Sequence, residues 1–145
     1  MFQKIAEDIA REAHKRQTRW DKKTEYITHP EAVAKAVKRD GVEYVTVAWL
    51  HDVLEDTSVN AVDLMSAGIP ENVVTAVLAI TRLHDEDYLD YILRVSNNKI
   101  ARVVKVADIN HNLSSLPGNG SKNRRDKYKL AKYMLEEMAW DDTRR

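Results

Sequence analysis

His51, Asp52, Glu55 and Asp56 place an imidazole and three carboxylates within six consecutive residues, His51-Asp52-Val53-Leu54-Glu55-Asp56. On a helix, at about 100° per residue, these four side chains fall on one side while Val53 and Leu54 turn toward the packing side. Three carboxylates on one face repel each other, and a divalent cation is the usual remedy. Oxygen and imidazole ligands together suit manganese, iron or zinc better than calcium. The segment therefore implies a metal-dependent hydrolase.

The elements that must hold this segment are helices. Only four glycines and three prolines punctuate the chain, and the apolar residues between them recur at spacings of three and four. A first helix is expected over residues 2–17, with Ile5, Ile9 and Ala13 facing inward. Residues 18–28 read as a polar loop that delivers His29, and Pro30 suits the first turn of a helix reaching residue 39, where its missing amide is no loss. The next helix, 42–55, carries the central motif and is apolar on most sides, as the buried middle of a bundle should be. A short helix at 61–66, one from residue 70 and one over 87–95 follow. Residues 100–116 are rich in β-branched side chains, yet nearly five turns of length and no sheet partner favour helix over strand. Residues 117–120 read as a flexible loop before a closing helix that includes Tyr128, Leu130, Ala131, Met134 and Leu135.

The fold class is all-α, and 145 residues suit one domain, 1–145, with a real core. Lys plus Arg and Asp plus Glu both number 23, so nothing draws the whole molecule toward nucleic acid or an acidic membrane, and an anionic ligand needs a local cluster. The basic run at 122–129 reads as a solvated helix face. The absence of cysteine excludes disulfides, thiolate zinc sites and cysteine nucleophiles, and fits a reducing cytoplasm. With no apolar run near the length of a membrane span, the reading is a cytoplasmic protein with neither a membrane nor a nucleic-acid partner. A homodimer is compatible with the sequence but carries no specific signal in it.

Several segments together resemble the HD-domain metal phosphohydrolases, specifically the hydrolase domain of RelA/SpoT-type alarmone enzymes and their small stand-alone relatives. The likeness begins at Ala13-His14 and Gln17 to Arg19 and continues through Tyr26-Ile27-Thr28-His29-Pro30. It peaks at Trp49 to Thr57, passes Thr81-Arg82-Leu83, and ends in Lys105 to Leu113. The resemblance implies an HD-type helical bundle in which His29, His51, Asp52 and Asp108 are the metal ligands. Two imidazoles and two carboxylates would leave positions on an octahedral Mn2+, or another divalent ion, for water and a phosphate oxygen. Glu55 and Asp56 are, by the same resemblance, the pair that aligns and deprotonates the water and assists the leaving group. Their presence points to pyrophosphate removal from a nucleotide.

For the substrate, the resemblance implies that Arg19 stacks on the base and that Asn112 contacts sugar or base, with Ser115 able to keep a hydroxyl contact. Arg19 stands one residue further from His29 than is usual, so an insertion lies within Trp20 to Thr24. Lys22 and Lys23 are candidates for phosphate contact, and Trp20 either stacks on a base or packs. His14, His84 and His111 are read as packing or surface residues. The chain departs from the family pattern at Ile109, Asn110, Ser114 and Ser115, where arginines are lost. The expected activity is (p)ppGpp 3'-pyrophosphohydrolysis on a guanosine polyphosphate. The alternatives are orthophosphate release from another nucleotide or phosphorylated cofactor, and a silent module that binds nucleotide or protein.

Overall fold

The computed structural model describes residues 2–118 and 122–144, so Asn119 and Gly120 of the expected loop lie outside the described residues. The chain forms α1 (Phe2–Ala13), α2 (Thr28–Ala36), α3 (Val42–Leu50), α4 (Val53–Asp56), α5 (Ala61–Ser66), α6 (Glu71–Ile80), α7 (Tyr88–Ser96), α8 (Lys99–Ser115) and α9 (Lys122–Arg144). Strand-like pairing among the described residues is confined to an isolated antiparallel bridge between Thr18 and Glu25. None of the described helices is long and apolar enough to cross a membrane.

Local chemistry sets where the helices start and stop. Asn60 caps α5 in a reciprocal box with Asp63, Asp87 accepts from the amides of Leu89 and Asp90 at the head of α7, and Asn98 accepts from Ala101 at the head of α8. Gly41, at φ +133°, turns the chain from the 3-10 turn at Lys38–Asp40 into α3. α1 ends at Ala13 rather than at residue 17 because Gln17 is drawn elsewhere: its side chain donates to the carbonyl of Asp56 at 3.0 Å, and its own carbonyl accepts from Tyr26. The innermost residues of α1 are Ala6 and Ala10, with Ile5, Ile9 and Ala13 flanking them.

The two helices that carry the motif residues form the middle of the bundle. α3 is buried continuously from Val45 to Leu50 and packs against α1, α2, α6 and α8; α8 packs against α2, α3, α6, α7 and α9. The β-branched run of α8 is helical, with Val104 and Ile109 fully buried. Ile109 is therefore a core residue. Each fully buried aliphatic side chain of this kind contributes about 1.5–3 kcal/mol, enough to hold polar groups at the helix ends in place. On α9 the inward residues are Ala131 and Leu135, whereas Leu130 is half exposed.

The expected helix 42–55 is not continuous. The imidazole Nδ1 of His51 donates to the carbonyl of Ala48 at 2.7 Å, the oxygen that the amide of Asp52 would take in an unbroken helix. α3 stops at Leu50, His51 and Asp52 form a turn, and the helix resumes as α4.

Candidate functional site

Four side chains from three parts of the chain converge beneath one cavity. His29 comes from the first turn of α2, His51 and Asp52 from the turn between α3 and α4, and Asp108 from the middle of α8. One ligand atom from each lies within 4.8 Å of all the others. His29 Nε2 is 2.7 Å from Asp108 Oδ1, and His51 Nε2 is 3.2 Å from both His29 Nε2 and Asp108 Oδ1. Asp52 Oδ2 lies 3.1 Å from His51 Nε2 and 3.7 Å from His29 Nε2. His29, His51 and Asp108 are buried, while the Asp52 side chain keeps 18% of its exposure.

His51, Asp108 and Asp52 are each held by further hydrogen bonds. The Ala48 carbonyl can only accept, so His51 carries a proton on Nδ1 and turns Nε2 into the cluster. Asp108 accepts from Lys105 Nζ on Oδ2 at 2.9 Å and from Asn112 Nδ2 on Oδ1 at 3.3 Å. The Tyr26 hydroxyl donates to Asp52 Oδ2. Burial pushes the Asp108 carboxyl up, but Lys105 and His51 override it and hold it well below the usual range. Burial likewise lowers His51, and Asp52 and Asp108 override that to hold its imidazole protonated. Two imidazole nitrogens 3.2 Å apart between two carboxylates are tolerable only with positive charge among them, supplied by protons or by a cation. The donor set of two nitrogens and two oxygens fits a divalent metal ion.

The cavity at the cluster has a volume of about 280 Å3 and is lined by both acidic and basic side chains. Glu55 and Asp56 line it from α4, just after the turn that carries His51 and Asp52. Glu55 Oε1 accepts from the Arg82 amide at 3.1 Å. Burial, together with the charges of Asp52 and Glu55, pushes the Asp56 carboxyl up to about 6, a value suited to proton transfer near neutral pH. Arg82, Lys105, Arg124 and Lys127 line the same cavity. Burial lowers Lys127, and Arg82, Arg124 and Lys105 lower it further. Its ammonium sits 4.3 Å above the Tyr88 ring, whose hydroxyl is buried without a hydrogen-bond partner among the described residues.

The residues expected to bind substrate divide. Arg19, Asn112 and Ser115 come together, with Arg19 Nη2 donating to Asn112 Oδ1 at 3.2 Å and to Ser115 Oγ at 2.9 Å, but of the three only Asn112 lines the cavity. Arg19 also lies 4.5 Å from the Trp20 ring, and Trp20 Nε1 donates to the Ser115 carbonyl, so Trp20 packs here. Lys22 and Lys23 are exposed on a loop pinned by Asp21 and do not line the cavity. Sequence reasoning missed Tyr26, Lys105, Arg124, Lys127 and Tyr128. The spacing of Arg124, Lys127 and Tyr128 at i, i+3 and i+4 was the available signal that the basic run has a cavity-facing side. His84 is exposed and His14 is buried against Tyr26, as packing and surface residues should be. His111 instead stacks on His29 and hydrogen-bonds it.

No protein-family model and no curated protein matches this chain. Among solved structures it is similar to a metazoan ortholog of SpoT that hydrolyzes ppGpp and plays a role in starvation responses, at 22% sequence identity and a TM-score of 0.77, over 94% of this chain and 84% of that one. The described residues thus have an all-α fold like that of this ppGpp-hydrolysing protein.

Proposed function

We propose that the protein is a cytoplasmic, Mn2+-dependent nucleotide phosphohydrolase that removes pyrophosphate from the 3' position of (p)ppGpp, leaving GDP or GTP. The observation that carries this reading is the four-residue cluster of His29, His51, Asp52 and Asp108 in a cavity also lined by Glu55, Asp56 and several basic side chains. The fold shared with a ppGpp-hydrolysing protein supports the substrate class.

A divalent cation held by these four residues would supply Lewis-acid charge to the scissile phosphoryl group. Asp56, with its carboxyl near 6, takes a proton from the attacking water. Glu55, anchored by the Arg82 amide, orients that water and assists protonation of the departing 3' oxygen. Arg82, Arg124 and Lys127 face the phosphates and stabilise their charge, which serves the role of the arginines absent after Asp108. Water thus adds to phosphorus, the bond from phosphorus to the ribose 3' oxygen breaks, and pyrophosphate leaves with the nucleoside 3'-hydroxyl restored.

Incubation of ppGpp with the protein and Mn2+, followed by chromatography, is expected to yield GDP and pyrophosphate, with no product in chelator or with Asp52→Ala. A second reading, orthophosphate release from another nucleotide, is favoured by Arg19, whose guanidinium is engaged with Asn112 and Ser115 outside the cavity. Intact ppGpp beside orthophosphate from another nucleotide would establish that second reading.

A further inference from the structure

We infer that His111 is a positioning residue that selects the tautomer of His29 and so sets the affinity for the divalent cation; this rests on the metal reading above. The Nδ1 atoms of His29 and His111 are 2.7 Å apart, and the two rings are stacked, with centroids 4.9 Å apart and an interplanar angle of 26°. A contact of this length between two imidazole nitrogens holds one proton. If that proton belongs to His111, neutral His29 carries its own proton on Nε2, 2.7 Å from Asp108 Oδ1, inside the ligand cluster. If it belongs to His29, the Nε2 lone pair faces the cluster and is free to bind a metal.

His51 has its choice made by a backbone carbonyl, which accepts and never donates. Among the described residues His29 has no such carbonyl as a side-chain partner; in that place it has His111, which can do either. Cation binding therefore requires His111 to become the acceptor at Nδ1 and to carry its proton on Nε2. There is room for this, because His111 lines a separate cleft of about 430 Å3 between α2 and α8, apart from the residues that line the metal cavity. An outer partner of this kind that fixes a ligating histidine is worth about 10–100-fold in metal affinity.

The test is Mn2+ titration calorimetry on the chelator-treated full chain, for wild type, Asp52→Ala, His111→Ala and His111→Asn, with melting temperatures recorded beside it. His111→Ala should weaken Mn2+ binding about 10–100-fold. His111→Asn, whose side-chain carbonyl can accept from His29 Nδ1, should recover most of that loss, although it lacks the stacked ring as the alanine variant does. A purely structural role would lower melting temperature in both variants without this rescue. Wild-type affinity in His111→Ala, or equal weakness in His111→Asn and His111→Ala, overturns the inference while leaving the metal centre standing. If wild type takes up no Mn2+, or Asp52→Ala binds as wild type does, the metal reading falls and this inference falls with it.

Discussion

Arg94 and Glu86 meet in a charge cluster that is complete in itself, whereas the cluster of His29, His51, Asp52 and Asp108 is not. Arg94 donates Nε and Nη2 to the two carboxylate oxygens of Glu86, each at 2.9 Å, and its remaining donors reach the carbonyls of Ala79 and Thr81 at the end of α6. Arg94 holds the Glu86 carboxyl down at about 2. A bidentate pair whose other donors cap a helix end needs nothing from outside. In the cavity, by contrast, the imidazoles and carboxylates converge on one point and require a proton or a cation between them. Both clusters hold opposite charges close together, so charge density alone does not mark a functional site. The open cluster differs in that its atoms face one another across a shared centre, with His51, Asp108 and Asp52 held there by hydrogen bonds to Ala48, Lys105 and Tyr26.

The largest effect that would sharpen this contrast is expected at Asp56. Replacing it with Asn should lower kcat about 10²–10⁴-fold, while leaving Mn2+ affinity nearly unchanged. The same change should stabilise the metal-free protein. Asp56 has a folded-state value of about 6 against an ordinary 3.8, so the folded protein favours the protonated form. That contribution to stability is fully present below 3.8 and is lost as pH rises through about 6. Melting curves of Asp56→Asn and wild type in chelator should therefore diverge in favour of the variant above that pH and converge below it; a variant less stable at high pH would contradict the electrostatic account.

A smaller effect of opposite kind is expected in the closed cluster. Arg94→Ala leaves Glu86 and the α6 carbonyls without their donor and should cost about 1–3 kcal/mol of stability, seen in denaturant unfolding, with Mn2+ affinity and KM unchanged. A loss of metal binding in this variant would show that the two clusters are not independent. The smallest effect belongs to Lys22→Ala and Lys23→Ala. Both side chains stand on an exposed loop off the cavity, so kcat/KM for the nucleotide should stay as in wild type, and a clear rise in KM would place the loop at the substrate.

The comparison also explains what the sequence could reveal. Helix 61–66 and the helical nature of 99–115 were legible because both rest on local signals, a capping residue and a sustained apolar period. The break after Leu50 was not, because it depends on where the His51 ring turns once the bundle has formed. His29, His51, Asp52 and Asp108 could be proposed from residue type and motif order, but their grouping depends on three separated segments meeting. Tyr26 and His111 escaped for a related reason: a hydroxyl or an imidazole acquires its partner only through tertiary contact. Arg124 and Lys127 were read as a solvated face, and they are indeed exposed, yet they also line the cavity.

The most direct test of the central claim is Mn2+ titration of chelator-treated wild type and Asp52→Ala near neutral pH in two buffers of different ionisation heat. In the cation-free cluster the carboxylates hold His51 protonated, so a metal ion entering the cluster must displace a proton, and affinity must rise with pH. The account predicts one ion bound per chain with proton release into the buffer, and loss of both in Asp52→Ala. Binding without proton release, or binding that survives Asp52→Ala unchanged, would contradict it.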